Sequence, residues 1–218
     1  MEIKIKHKWD VDKEEARRIQ KDLRKYIDLK NRVEKVEKVG GVDCSYKEEK
    51  VKSAFVVCNY QTLEIIEVYT TEDYITFPYI PSFFAFREGP AIVKLLEKIK
   101  EKPDIIIFNG HGIAHPEKMG LATHLGIIFD IPTIGCAREI LYGNYTIPPS
   151  FPLASTFIKD KDGEVMGHVL RNYNNGLLFI SPGHKIDLKT SLSVVIKTMK
   201  KEHGLPYPLY AAHSNCSL

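Results

Sequence analysis

Residues 103–126 read PDIIIFNGHGIAHPEKMGLATHLG, and the fold turns on this stretch. Ile105 to Phe108 form a short apolar run that a proline opens and a glycine closes, the pattern of a buried strand. Asn109-Gly110-His111-Gly112-Ile113-Ala114-His115-Pro116 follows. Two glycines and a proline so close together preclude a helix interior, so this is a tight loop at the carboxyl end of a core strand. Ligands bind at that end in open α/β sheets. Leu121 to Phe129 then turns apolar again, with Thr123 and His124 inside it, and suits a short buried helix. Strand, polar glycine-rich loop and helix in that order predict an α/β fold.

Upstream lie three strand-like segments: Val39–Tyr46, Lys52–Tyr60 and Leu63–Tyr69. Their short connections predict an antiparallel meander. Asp43 falls in the middle of the first. A carboxylate inside a core strand is costly unless it is paired or holds a metal, and Gly40 and Gly41 before it signal close backbone approach. Residues 11–30 lack glycine and proline and predict a charged amphipathic helix. Pro78-Tyr79-Ile80-Pro81 must be stiff and extended, since each proline fixes its own φ and restricts its predecessor. Ser82 is placed to cap a helix that runs to Lys102 and carries Glu88, with Gly89-Pro90 as a kink.

Downstream, Pro132–Cys136 predicts another short strand, with Arg138 just after it. Residues 142–154 read as an irregular loop. Ser155–Lys159 and Glu164–Leu170 flank an Asp162-Gly163 hairpin turn, and Leu177–Ile180 is a further strand. Ser181-Pro182-Gly183-His184 reads as a loop, residues 187–203 as a helix capped by Asp187, and the tail carries His213. No repeat or linker divides the chain, which predicts a single domain over 1–218. The order of elements matches a ribonuclease-H-like mixed sheet flanked by helices.

A net charge of +3 over 218 residues confines any nucleic-acid surface to a local patch. The charged start and the absence of any long apolar run predict a cytoplasmic protein that does not enter a membrane. None of the four cysteines forms a CxxC pair, and His111, His115 and His124 have no cysteine or acid close in sequence, so zinc through these histidines is disfavoured. Asp43, Glu88 and the Asn109 position are instead candidates to converge on one divalent cation. Phosphodiester hydrolysis needs such a cation, and Mg²⁺ favours hard oxygen ligands.

The blocks VGGVDCSY, PYIPSFFAFREGP, PDIIIFNGHGIAHPEKMGLATHLGIIFDIPTIGCAREIL and ISPGHKIDLKTSL resemble the signature blocks of the endonuclease V family, the deoxyinosine 3′ endonucleases. The resemblance spans Val39 to His213. It implies a metal-dependent nuclease of nucleic-acid repair, working as a monomer with Mg²⁺ or Mn²⁺. Such an enzyme recognises inosine in DNA, in some members inosine in RNA, and cuts the second phosphodiester bond 3′ to it. By the same resemblance Asp43 and Glu88 are metal and catalytic carboxylates, and His213 supports them. Pro78, Tyr79, Ile80 and Pro81 form a wedge that separates the strands. Ser82, Phe84, Gly110, Gly112 and His115 surround the everted hypoxanthine.

Three positions depart from the family pattern. Asn109 stands where the family has Asp, which removes a charge from the metal site. Arg138 stands where Lys is usual, and a guanidinium is not equivalent to an ammonium beside phosphate. Ser82 stands where Gly is common, which predicts a narrower base pocket. Three changes together fit a drifted member better than one trapping substitution. An inosine-binding protein of the same fold that cuts poorly is therefore the alternative expectation.

Overall fold

The computed structural model describes residues 1–217. The run Ile105–Phe108 forms β4, and all four of its side chains are buried. An apolar side chain at every position requires cover on both faces of the sheet, and helices supply it on each side. In chain order the elements are α1 (Lys13–Leu23), β1 (Lys38–Lys47), β2 (Lys50–Asn59), β3 (Ile65–Tyr74), α2 (Phe84–Glu97), β4 (Ile105–Phe108), α3 (Leu121–Phe129) and β5 (Thr133–Ala137). The short β6 (Asn144–Tyr145), β7 (Ser155–Lys159), β8 (Val165–Arg171), β9 (Leu177–His184), α4 (Leu188–Thr198) and α5 (Tyr207–Cys216) follow.

The strands form one nine-stranded sheet, ordered β3-β2-β1-β4-β5-β9-β8-β7-β6. β1, β2 and β3 are the antiparallel meander, β4 runs parallel to β1 and β5, and β9 returns antiparallel to β5. Alternation along β1 divides the core. Val39 joins β2, β4, β5 and β9 residues beneath α4 and α5, whereas Val42 faces α2 and α3. A third cluster seats α1 against Phe77, Phe83 and Phe86. No helix is long and apolar enough to cross a membrane among the described residues.

Several boundaries differ from the sequence reading for local reasons. The first helix stops at Leu23 and passes through a 3₁₀ turn over Arg24–Tyr26. Ser181–His184 is strand, not loop: β9 continues to His184 by pairing with β5 across a register shift at Thr133/Ile134. β9 joins the late hairpin to the main sheet. The helix capped by Asp187 ends at Thr198, and Met199 bridges to Pro206. Ser82 does not cap α2, which starts after Phe83 without a side-chain cap.

The tail holds a helix that local pattern did not announce. α5 begins with Tyr207-Pro208, and a proline in the first turn loses no hydrogen bond that the helix could have made. It lies directly on β1 at Gly41, where an added Cβ would overlap the backbone of Pro208. Gly41 therefore lets a helix lie close enough to bring its side chains to the strand, while Gly40 makes room for the Phe55 ring. Gly41→Ala should lower Tm by roughly 3–10 °C in a thermal melt, because the clash is with backbone that cannot rotate away. An unchanged Tm would show that α5 is not seated there.

Candidate active site

β4 ends at Phe108, opposite Val42 of β1. The next β1 residue, Asp43, thus lacks a strand neighbour on that side and looks into the gap. Asn109 turns into the same gap, with its own backbone N–H on the Val42 carbonyl at 3.0 Å. Asp43 is only 3% exposed, yet its carboxylate is well supplied with donors. Oδ1 accepts from the Cys44 N–H at 2.8 Å and from the Asn109 amide nitrogen at 2.7 Å. Oδ2 lies 2.7 Å from Nδ1 of His213, which α5 carries across from the other side.

Glu88 projects from the first turns of α2 and is 4% exposed. It accepts from the Tyr46 hydroxyl at 2.5 Å. Burial is the main reason its carboxyl is pushed up to about 8, with the Asp43 charge adding in the same direction. Arg87 lies over the Tyr46 ring at 4.8 Å and donates to the Phe77 carbonyl at 2.9 Å, so it fixes both the tyrosine and the backbone just before Pro78. Tyr46, Arg87 and Cys44 were not among the residues singled out from sequence. Their only signal was adjacency to Asp43 and Glu88.

Asp43, Glu88 and Asn109 open on one cavity of about 550 Å³, the size range of a small-molecule site. Tyr79, Pro81, Ser82, Phe84, Gly110, His115 and Arg138 line it too. Tyr79 is 65% exposed at the rim and meets Phe84 edge-on, centroids 5.6 Å apart. Pro78 is exposed beside it, and Ile80 packs inward on the cluster around Phe83.

Ser82 adopts the left-handed backbone conformation, φ +73°, which explains why a glycine would be comfortable here. Its carbonyl is clamped by two donors at 2.8 Å, the Gln20 side-chain amide and Nε2 of His115. Nδ1 of His115 accepts from the Glu117 and Met119 amides. Both ring nitrogens are therefore engaged within the protein, and His115 shapes the cavity rather than offering a free polar atom to a ligand. Burial lowers it to about 4, so the ring is neutral.

Gly112 is not brought to the cavity. Its N–H donates to Ser181 Oγ at 2.8 Å, its carbonyl accepts from Gly120, and a Cβ would overlap the Pro182 carbonyl. It is a packing glycine, and only Gly110 of the pair reaches the cavity wall. His111 lines the cavity as well, neutral because burial lowers it to about 4, and its Nδ1 has no partner.

Arg138 stands between this cavity and a second hollow that also holds His213. Arg171 is buried, with its guanidinium bonded to the Pro148 and Pro149 carbonyls and to Asn175. The all-histidine zinc arrangement does not form: His115 is fully engaged and His124 pairs with His7 at 2.7 Å. The cysteines are unbridged.

A model of the Endonuclease V family matches residues 21–214. Endonuclease V of Dictyoglomus thermophilum is 42% identical over 207 residues, 94% of this chain and 90% of that protein. That of Kosmotoga olearia is 37% identical over 98% of this chain and 94% of its own length. Among solved structures, Endonuclease V of Bacillus subtilis superposes with a TM-score of 0.93 at 31% identity, covering 99% of this chain and 95% of that one. A Ciona intestinalis Endonuclease V in complex with a 24mer DNA containing an inosine followed by a ribo-adenosine gives 0.80 at 25% identity, covering 93% and 95%. With family match, identity and near-complete coverage in agreement, the chain belongs to the Endonuclease V family of nucleic-acid hydrolases.

Proposed function

We propose that this protein is a divalent-cation-dependent endonuclease that everts inosine from DNA and hydrolyses the second phosphodiester bond on its 3′ side. Inosine-containing RNA is the second polymer in reach of the same site. The observation that carries this is the shared cavity: two buried carboxylates and an amide open on the same hollow as a rigid, exposed tyrosine. A Ciona relative binds inosine-containing DNA, which supports the choice of lesion.

The donor set fits a hard divalent cation. Asp43 and Glu88 are buried acids in one cavity, and Glu88 stays neutral up to about 8 when nothing compensates its charge. Asp43, Glu88 and the Asn109 side-chain oxygen would hold Mg²⁺ or Mn²⁺. When bound, such a cation supplies Lewis-acid polarisation and neutralises charge on the scissile phosphate. The protein's own groups do the positioning. The Cys44 N–H and Asn109 orient Asp43 Oδ1, and His213 orients Oδ2. The His213 side chain is 47% exposed, which leaves its other nitrogen free to exchange a proton with solvent or product. Arg138, at the junction of the two hollows, is placed to hold a phosphate of the strand as it leaves.

Tyr79 fills the place of the everted base, presented by two prolines and braced by Phe84. Hypoxanthine offers a 6-oxo acceptor and an N1–H donor. Adenine reverses both, so backbone groups near Gly110 and Ser82 can reject it.

One observation favours weaker cutting with retained binding. Asn109 donates to Asp43 Oδ1, where an aspartate would leave that oxygen to the cation. Asn109→Asp should raise nicking of an inosine duplex at low Mn²⁺ by about tenfold or more, the scale of a lost metal-site ligand. Equal rates in a gel assay would remove this account, and a mobility shift without nicking would favour the binding protein.

Tyr79→Ala should reduce nicking of double-stranded inosine DNA by at least about tenfold and of single-stranded inosine DNA much less, since only the duplex must be opened. A matching loss on both substrates would refute the wedge.

Glu88 also ties stability to pH. Its folded value lies above the usual carboxyl range, so the folded chain holds a proton that the unfolded chain releases. Stability of the metal-free protein therefore falls as pH climbs from about 4.5 through 8. Glu88→Gln should flatten that part of the Tm profile and melt several degrees above wild type at pH 9, while abolishing nicking. Mn²⁺ should stabilise wild type more at pH 8 than at pH 6. Parallel melting profiles for the two proteins would contradict the placement of Glu88.

A further inference from the structure

His213 and Cys216 lie three residues apart on α5, one helical turn, and so share a face. That face meets β1 at Asp43. A carboxylate oxygen of Asp43, a ring nitrogen of His213 and Sγ of Cys216 all lie within 4.8 Å of one another. We propose that these three side chains form a thiolate-containing cation site, suited to Zn²⁺, whose filling blocks the hydrolytic centre.

The two oxygens of Asp43 already face different surroundings. Oδ1 turns to Asn109 and the cavity, and Oδ2 turns to α5. The candidate ligands that join Asp43 in the cavity, Glu88 and Asn109, offer oxygens, whereas α5 brings imidazole and thiol to the same carboxylate. Mixed nitrogen and sulfur donors select zinc over magnesium, which wants oxygen. Donor atoms around one zinc sit roughly 3–4 Å apart, given bond lengths near 2.0 and 2.3 Å. Side-chain adjustments of about 1 Å would bring the three to that spacing.

The Cys216 thiol has little else to do. It is buried, and its hydrogen-bond partner is the His213 carbonyl, a weak contact at 3.4 Å. His213 is the half-exposed member and gives the ion its way in. On binding, the Cys216 proton and the proton between His213 and Asp43 pass to solvent, and the ion takes their place. Asn109 tilts the competition, because the cavity side has lost a formal charge and the α5 side has not.

The blocking role rests on the proposed reading of Asp43 as a cation-holding carboxylate, but the metal site itself does not. Metal-free protein titrated with Co²⁺ should develop a thiolate-to-cobalt charge-transfer band in the near ultraviolet, saturating at one ion per chain. Zn²⁺ should abolish it by displacement. Cys216→Ser and Cys216→Ala, each verified as folded by circular dichroism, should lack the band, and Cys44→Ser should keep it. No band in wild type, or a band that survives both Cys216 substitutions, overturns the site. For the blocking role, the Zn²⁺ concentration that halves Mn²⁺-driven nicking should rise at least about tenfold in Cys216→Ser. An unchanged value overturns that role. Were no metal to support nicking, the function would fall while the cobalt spectrum still decided the site.

Discussion

Both oxygens of the Asp43 carboxylate have partners before any ligand arrives: a backbone amide and Asn109 on one, His213 on the other. The position exists because β4 is short. Its pairing with β1 stops at Val42, and the next residue is left in a notch between two strands. The carboxylate can then be met from the α2 side and the α5 side of the sheet at once. Everything else that the site needs is a way of filling that notch: Asn109 from the loop after β4, Glu88 from α2, His213 from α5. A longer β4 would pair with Asp43 and close it.

The inner strands were legible because burial on both faces writes itself as uninterrupted apolar residues, as in Ile105–Phe108. Asp43 was legible for the opposite reason, as a charge where none is affordable without a partner. α5 was not legible. Its first turn holds Pro208, and its seat is Gly41, far upstream in the chain, so the information is tertiary. Ser181–His184 misled because Pro182-Gly183 reads as a turn. Gly183 is there to let the strand pass beneath α3 and Thr133, and the pairing with β5 overrides the local preference.

The cavity shows the same division. Resemblance supplied Gly110, Gly112 and His115 together, yet the fold uses them differently. Gly110 borders the cavity, Gly112 is a contact point between backbones, and His115 is a strut. A motif reports that residues are needed without saying whether they touch the ligand. Gln20 makes the converse point. Nothing in its surroundings in α1 marks it, but it reaches the Ser82 carbonyl from a distance of 62 positions.

That reach has a thermodynamic meaning. Ser82 sits in a region of backbone space that costs a non-glycine residue of order 1 kcal/mol, and Gln20 and His115 hold it there. The turn that carries Tyr79 is thereby ordered when the chain folds. In the proposed wedge role, association would forfeit little further conformational freedom at Tyr79 and leave more of the contact energy to unstack a base.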